Sequence, residues 1–212
     1  MIFEIKEKKD PELEEMFQKA MKELEVFFKL NWKRNVPKIV ILKDREEIDG
    51  YKQKKTPEWL VGWAEGTTIY LLNRENYEKE SFHKYTKKKY YRLLKHELCH
   101  LFFDIVSEKN SYNQFIWFNE GIAGYLSGQD KDKEIPKEFK KFLSQYSNWE
   151  GNAYGESTYA IKYLVKEFGN EKLLKMIKSL SKVNSEEGFK NNFKNIYERE
   201  LNYELFNELL KK

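Results

Sequence analysis

Apolar residues recur at helical spacing early in the chain. Leu13, Met16, Phe17, Ala20, Leu24, Phe27 and Phe28 mark one face of a helix predicted from Pro11 to about Trp32. Asp10 is its expected N-cap and Pro11 its first helical residue. Val36–Leu42 is a continuous β-branched run and reads as a short buried strand. Asp44–Gly50 reads as a helical turn and Tyr51–Glu58 as a loop. Leu60–Ala64 and Thr67–Asn73 read as two strands punctuated by Glu65-Gly66. The pattern then lengthens into a helix from Ser81 to about Ser107, carrying Leu93, Leu94, Leu98, Leu101, Phe102 and Ile105. A polar loop over Ser107–Phe115 leads to a helix over Ile116–Leu126, stopped by Ser127-Gly128. A charged connector, Lys131–Pro136, precedes a helix predicted over Lys137–Tyr146. Gly151–Gly169, with a helix from about Ala153, then Asn170–Ser181 and the C-terminal residues read as further helices. Strands are confined to the first third of the chain, which predicts an α+β architecture. One domain over 1–212 is expected, with an α/β lobe (1–115) and a helical lobe (116–212).

Composition narrows the function. Of 212 residues 40% are hydrophobic and 16% aromatic, enough for a sizeable core. Lys and Arg number 39 against 35 Asp and Glu, a net charge of +4 spread over many charges of both signs. That is a poor attractor of nucleic acid, and no nucleic-acid partner is expected. The basic-aromatic run from Lys84 through Tyr90, Tyr91 and Arg92 reads instead as the solvated face of a helix. The longest apolar runs are too short to span a bilayer, so no membrane partner is expected. The N-terminus shows no apolar targeting segment, which predicts a cytoplasmic protein. Cys99 is the single cysteine, so no intramolecular disulfide or cysteine-based zinc site can form. It reads as a small core residue.

The chemistry-bearing stretch is His96-Glu97-Leu98-Cys99-His100, inside the long predicted helix. Residues i and i+4 share a helix face, so both imidazoles can aim at one point. Two neutral imidazole nitrogens one turn apart suit a zinc ion. Glu97 is turned roughly 100° from His96, beside the metal, where it can take a proton from water. The chain has 3 histidines, and two of them fall at this spacing around a glutamate. A catalytic zinc needs a third protein ligand. Glu120, within Trp117-Phe118-Asn119-Glu120-Gly121-Ile122-Ala123, is the candidate, because a carboxylate set among apolar neighbours needs a cation.

His-Glu-x-x-His followed by Trp-x-Asn-Glu-Gly-x-Ala resembles the gluzincin metallopeptidases, in particular the peptidase MA-like proteins related to the aminopeptidase N catalytic domain. The likeness runs from about Val61 to Gly169. It implies a zincin-like fold, one Zn2+ ion held by His96, His100 and Glu120, and Glu97 as general base and acid. Peptide or protein substrates would follow. Tyr154 matches the tyrosine that in those relatives donates to the tetrahedral oxyanion, with Tyr159 as the alternative register. Gly62 and Glu65, with Ala64 between them on the predicted strand pair, match at the glycine and the glutamate a stretch whose glutamate captures the substrate's amine, although a turn residue is the simpler reading of Glu65. Leu60–Ala64 is the expected edge strand, open to an extended peptide. Two departures stand out. The position one turn after Glu120, acidic in the thermolysin group, is Gly124. The Lys-Gly that follows the tyrosine in the relatives is Glu156-Ser157 here. These departures motivate a rival reading, a zinc-stabilised binding module that does not cleave. Asp104, one turn after His100, reads equally as an orienter of that imidazole and as an ordinary residue of a solvent-facing helix end.

Overall fold

Asp10 caps the first helix by accepting from the Leu13 N–H at 3.1 Å, and Pro11 occupies the first helical position. The helix, α1 (Pro11–Phe28), buries Leu13, Met16, Phe17, Ala20, Leu24 and Phe28, as the spacing demands. It ends one turn before Trp32 because Lys29 turns left-handed, with φ 53°. The structure is a computed structural model and describes residues 7, 9–108, 115–146 and 154–212. The helix start expected near Ala153 and the middle of the 107–115 loop lie outside those residues.

Strand β1 (Lys38–Leu42) leads to α2 (Arg45–Lys52), a true two-turn helix capped by Asp44. Strands β2 (Gly62–Glu65) and β3 (Thr68–Leu72) follow. The sheet order is β1-β3-β2, with β1 parallel and β2 antiparallel to the central β3. The Leu72 N–H donates to the Val61 carbonyl at 2.9 Å, which makes Trp63–Tyr70 and Glu65–Thr68 the bonded pairs of this ladder. The N–H and C=O groups of Gly62 and Ala64 therefore face outward along the free edge of β2. A Cβ at position 62 would lie 2.9 Å from Leu71 Cδ2 and 3.1 Å from the Tyr70 carbonyl oxygen, so glycine makes room for the neighbouring strand β3.

That helix, α3 (Lys87–Ser107), starts six residues later than the spacing predicts. Thr86 caps it by accepting from the Lys89 N–H at 3.1 Å, and Ser81 instead closes a turn by donating to the Tyr77 carbonyl. A side chain that satisfies a turn backbone competes with helix formation. Nor is the Lys84–Arg92 run wholly solvated. Tyr90 is buried and donates to the Leu72 carbonyl, and buried Arg92 pairs with Asp132.

Helices α4 (Ile116–Ser127), α5 (Tyr154–Ser179), α6 (Glu186–Tyr197) and α7 (Tyr203–Leu210) complete the fold. Gly169, with φ 81° and ψ 163°, breaks α5 where the sequence predicts a boundary. The helix predicted over Lys137–Tyr146 does not form. Only a short 3-10 turn appears, at Phe142–Ser144. Its backbone is satisfied from elsewhere: the Phe139 N–H donates to Asn207 Oδ1, and the N–H groups of Lys140, Lys141 and Phe142 converge on Glu156 Oε2. Phe139 and Phe142 are both buried, packed against Phe206. Tertiary contacts outweigh local propensity here. The described residues thus form an α+β fold, and none of their helices is long and apolar enough to cross a membrane.

Candidate metal centre

Two helices supply the centre. In α3, the apolar face of Leu94, Leu98, Leu101 and Phe102 anchors the helix and leaves His96 and His100 one turn apart on an adjoining face. Helix α4 begins at Phe115, a buried residue in the left-handed region at φ 57°. The N–H groups of Ile116 and Trp117 donate to the carbonyls of Tyr146 and Gln145 at 3.1 and 3.0 Å, which satisfies the start of α4. Trp117, Phe118, Ile122 and Ala123 are buried, and Glu120 turns toward α3.

The three side chains meet. His96 Nε2 and His100 Nε2 are 3.0 Å apart. Glu120 Oε2 lies 3.3 Å from His96 Nε2, and Oε1 lies 3.6 Å from His100 Nε2. At zinc bond lengths of about 2.0–2.1 Å, tetrahedral ligand atoms stand roughly 3.3 Å apart. The observed separations bracket that value. Two further features suit a cation. Glu120 Oε2 is buried without a hydrogen-bond donor, and the side chains of His96, His100 and Glu120 are only 11, 16 and 12% exposed. A buried carboxylate oxygen without a donor is costly unless a positive charge faces it. His96, His100 and Glu120 could therefore hold a metal ion together.

Asn119, which sequence reasoning passed over, orients the centre. His100 Nδ1 lies 3.0 Å from Asn119 Oδ1. An amide oxygen only accepts, so Nδ1 carries the proton and the Nε2 lone pair points into the cluster. The orienter is thus the residue beside the ligand Glu120, and not Asp104, whose part is a weak charge effect on His100. The signal was present in the sequence as the Asn immediately preceding Glu120. Asn119→Ala is expected to weaken zinc affinity about 10–100-fold. Competition against a chromogenic chelator measures this, and an unchanged affinity would remove Asn119 from the site.

Glu97 is buried beside the ligands, and its carboxylate accepts from the Ala64 N–H. Burial raises its pKa, against the pull of His96 and His100. Glu120 and His100 shift in opposite directions. Burial pushes Glu120 up, but His100 and His96 outweigh it and hold the carboxyl below its ordinary range. Burial pushes His100 down, but Glu120, Glu97 and the Asn119 bond outweigh it and raise the imidazole. Of the two buried carboxylates, Glu97 is thus the one prepared to hold a proton and Glu120 the one prepared to face a cation.

The remaining candidates fall in different places. Ala64 sits on the open edge of β2 and connects it to Glu97. Glu65 is exposed on the same strand, but its Oε2 lies 3.5 Å from Lys52 Nζ and 3.3 Å from Trp63 Nε1. A cation already occupies the role an incoming amine would play. Tyr154 is the first residue of α5 and half-buried. Tyr159 is buried, and its hydroxyl lies 2.9 Å from the carbonyls of both Asp130 and Lys133, so it ties down the loop between α4 and α5. Cys99 is buried on the core side of α3, where burial pushes its thiol up. Gly124 leaves room for α5: a Cβ there would lie 2.3 Å from Thr158 Oγ1. Arg45 is a structural residue the sequence did not flag. Its guanidinium donates to the carbonyls of Leu60 and Glu80 at 2.7 and 2.6 Å, fastening the segment that enters β2. Comparison with protein-family models, with curated proteins and with solved structures finds no match for this chain.

Proposed function

We propose that this protein is a zinc-dependent peptidase of zincin-like fold that hydrolyses peptide bonds through a water molecule. The observation that carries the reading is the convergence of His96, His100 and Glu120 at ligand spacing with a buried carboxylate, Glu97, beside them. A zinc ion bound there supplies a Lewis acid and lowers the pKa of water toward neutrality. The protein's own groups do the rest. Glu97, held by the Ala64 N–H, accepts the proton of the attacking water and later delivers it to the leaving amine. Its raised pKa suits a group that must hold the proton between those two events. Asn119 keeps the His100 tautomer fixed through the cycle. The outward N–H and C=O groups of Gly62 and the outward C=O of Ala64, whose N–H is held by Glu97, offer an extended substrate backbone partners beside Glu97. Tyr154 donates to the developing oxyanion. The ion pair of Glu65 with Lys52 favours recognition along the peptide backbone over capture of a terminal amine.

The test is hydrolysis of an internally quenched peptide library by the purified protein. Cleavage should require about one zinc per chain, stop with 1,10-phenanthroline and return on adding zinc. Full cleavage by metal-free protein would overturn the proposal. One bound zinc with no cleavage across the library would favour the non-cleaving module.

A further inference from the structure

Lys133 has no part in the chemistry above, yet elements on two sides converge to place it. It follows a 3-10 turn, Gln129–Asp132, that is fastened at both faces. On one face buried Arg92 of α3 pairs with Asp132. On the other, Lys162 Nζ of α5 lies 2.8 Å from Asp130 Oδ2, and the Tyr159 hydroxyl lies 2.9 Å from the backbone carbonyl of Lys133 itself. The side chain that leaves this clamp folds onto the start of α5. Its Nζ donates to Thr158 Oγ1 at 3.3 Å and to the Tyr154 carbonyl at 3.5 Å, and lies 6.0 Å from the centre of the Tyr154 ring. Thr158 Oγ1 donates to the same carbonyl at 2.8 Å. Thr158 in turn reaches this position because residue 124 has no side chain.

The first turn of a helix holds few intrahelical bonds and frays most easily. A tyrosine at that position points nowhere in particular unless something outside the helix fixes it. Here the Thr158 hydroxyl bonds the carbonyl at 2.8 Å, and the Lys133 ammonium, at 3.5 Å from the same oxygen and 3.3 Å from that hydroxyl, ties the pair to the loop before the helix. We infer that Lys133 is a positioning residue, which locks the first turn of α5 and so sets the direction in which Tyr154 presents its phenol to the reacting centre. The inference rests on the peptidase reading for the role of Tyr154, but the clamp itself does not. Burial lowers the Lys133 pKa, while the carboxylates of Glu120, Asp130 and Asp132 oppose that loss of charge.

The experiment compares wild type with Lys133→Met, Lys133→Arg, Tyr154→Phe and the Lys133→Met/Tyr154→Phe double variant, all zinc-loaded. Misplacement of a reacting group by about 1 Å costs on the order of 100-fold in rate. Lys133→Met is expected to lower kcat about 10- to 100-fold, with KM within about twofold and zinc content unchanged. Lys133→Arg should recover most of the loss, because it keeps the charge and the donors. The double variant should be no slower than Tyr154→Phe alone, the signature of two residues acting as one unit. Losses that multiply in the double variant, or a rise in KM at constant kcat, would overturn the inference; the second result would make Lys133 a direct substrate contact. Hydrogen exchange of the metal-free proteins gives a reading independent of turnover. Lys133→Met should speed exchange at the amide of Thr158, whose helical acceptor is the Tyr154 carbonyl, and at the residues just after it, and leave α3 unaffected. Unchanged exchange there overturns the clamp even if the protein cleaves nothing. Absent turnover with the expected exchange difference sinks the peptidase reading and keeps the clamp.

Discussion

On the proposed peptidase reading, Glu97→Gln is expected to lower peptide hydrolysis by orders of magnitude and to leave metal binding intact. Glutamine is isosteric and its amide oxygen still accepts from the Ala64 N–H, so the join between α3 and β2 survives. What disappears is a group able to take a proton from water and pass it on. General-base removal costs about 10²–10⁴ in rate, and kcat should fall by that factor with KM little changed. Stability should move the other way. Burial already disfavours the Glu97 carboxylate, so a neutral amide removes a desolvation cost, and thermal unfolding should occur at the same temperature or higher. Steady-state kinetics, metal analysis and a melting curve together decide it. Retained hydrolysis at the wild-type rate would leave Glu97 without a catalytic role.

Metal binding is the second large effect. His96→Ala removes one of three ligands and leaves Glu120 Oε2 facing a void. Zinc content after dialysis against a weak chelator should fall from about one per chain to below about a tenth. The difference also appears in stability. A ligand at 100 times its dissociation constant stabilises by about 2.7 kcal/mol, which for a chain of this length raises the midpoint by roughly 5–10 °C. Wild type should show that shift on zinc addition and His96→Ala should not. Equal shifts in both proteins would place the ion elsewhere.

The two histidines of the candidate metal centre could be read from the sequence because their spacing is a local property. His96 and His100 share a face of any helix that contains both, whatever surrounds it. Glu120 was readable for a related reason, since its apolar neighbours mark a buried carboxylate. Asn119 stood in the same stretch, but which of its neighbours an amide reaches depends on the angle between α3 and α4. Of the two readings of Asp104, the orienting one depended on that angle: i+4 spacing puts Asp104 near His100 along the helix, whereas the acceptor at His100 Nδ1 arrives from another helix. The missing helix over Lys137–Tyr146 has a similar origin. Its composition is helical, but Glu156 and Asn207, both distant in sequence, claim its N–H groups. Arg92 shows the opposite limit. It counts as one surface charge in a basic run until Asp132, 40 residues on, arrives to pair with it in a buried setting.

By itself the sequence determined the helical and strand segments with strong periodicity, the chain-local caps at Asp10 and Gly128, and the identity of the three side chains able to meet a cation. Each depends on interactions within one or two turns of backbone. Only the tertiary structure decided that those side chains meet at 3.0–3.6 Å, that Asn119 sets the tautomer, that Ala64 reaches Glu97, and that Lys133 grips the start of α5. Those pairings join residues far apart in sequence. Their geometry is fixed by how close-packed helices cross, which no single segment encodes.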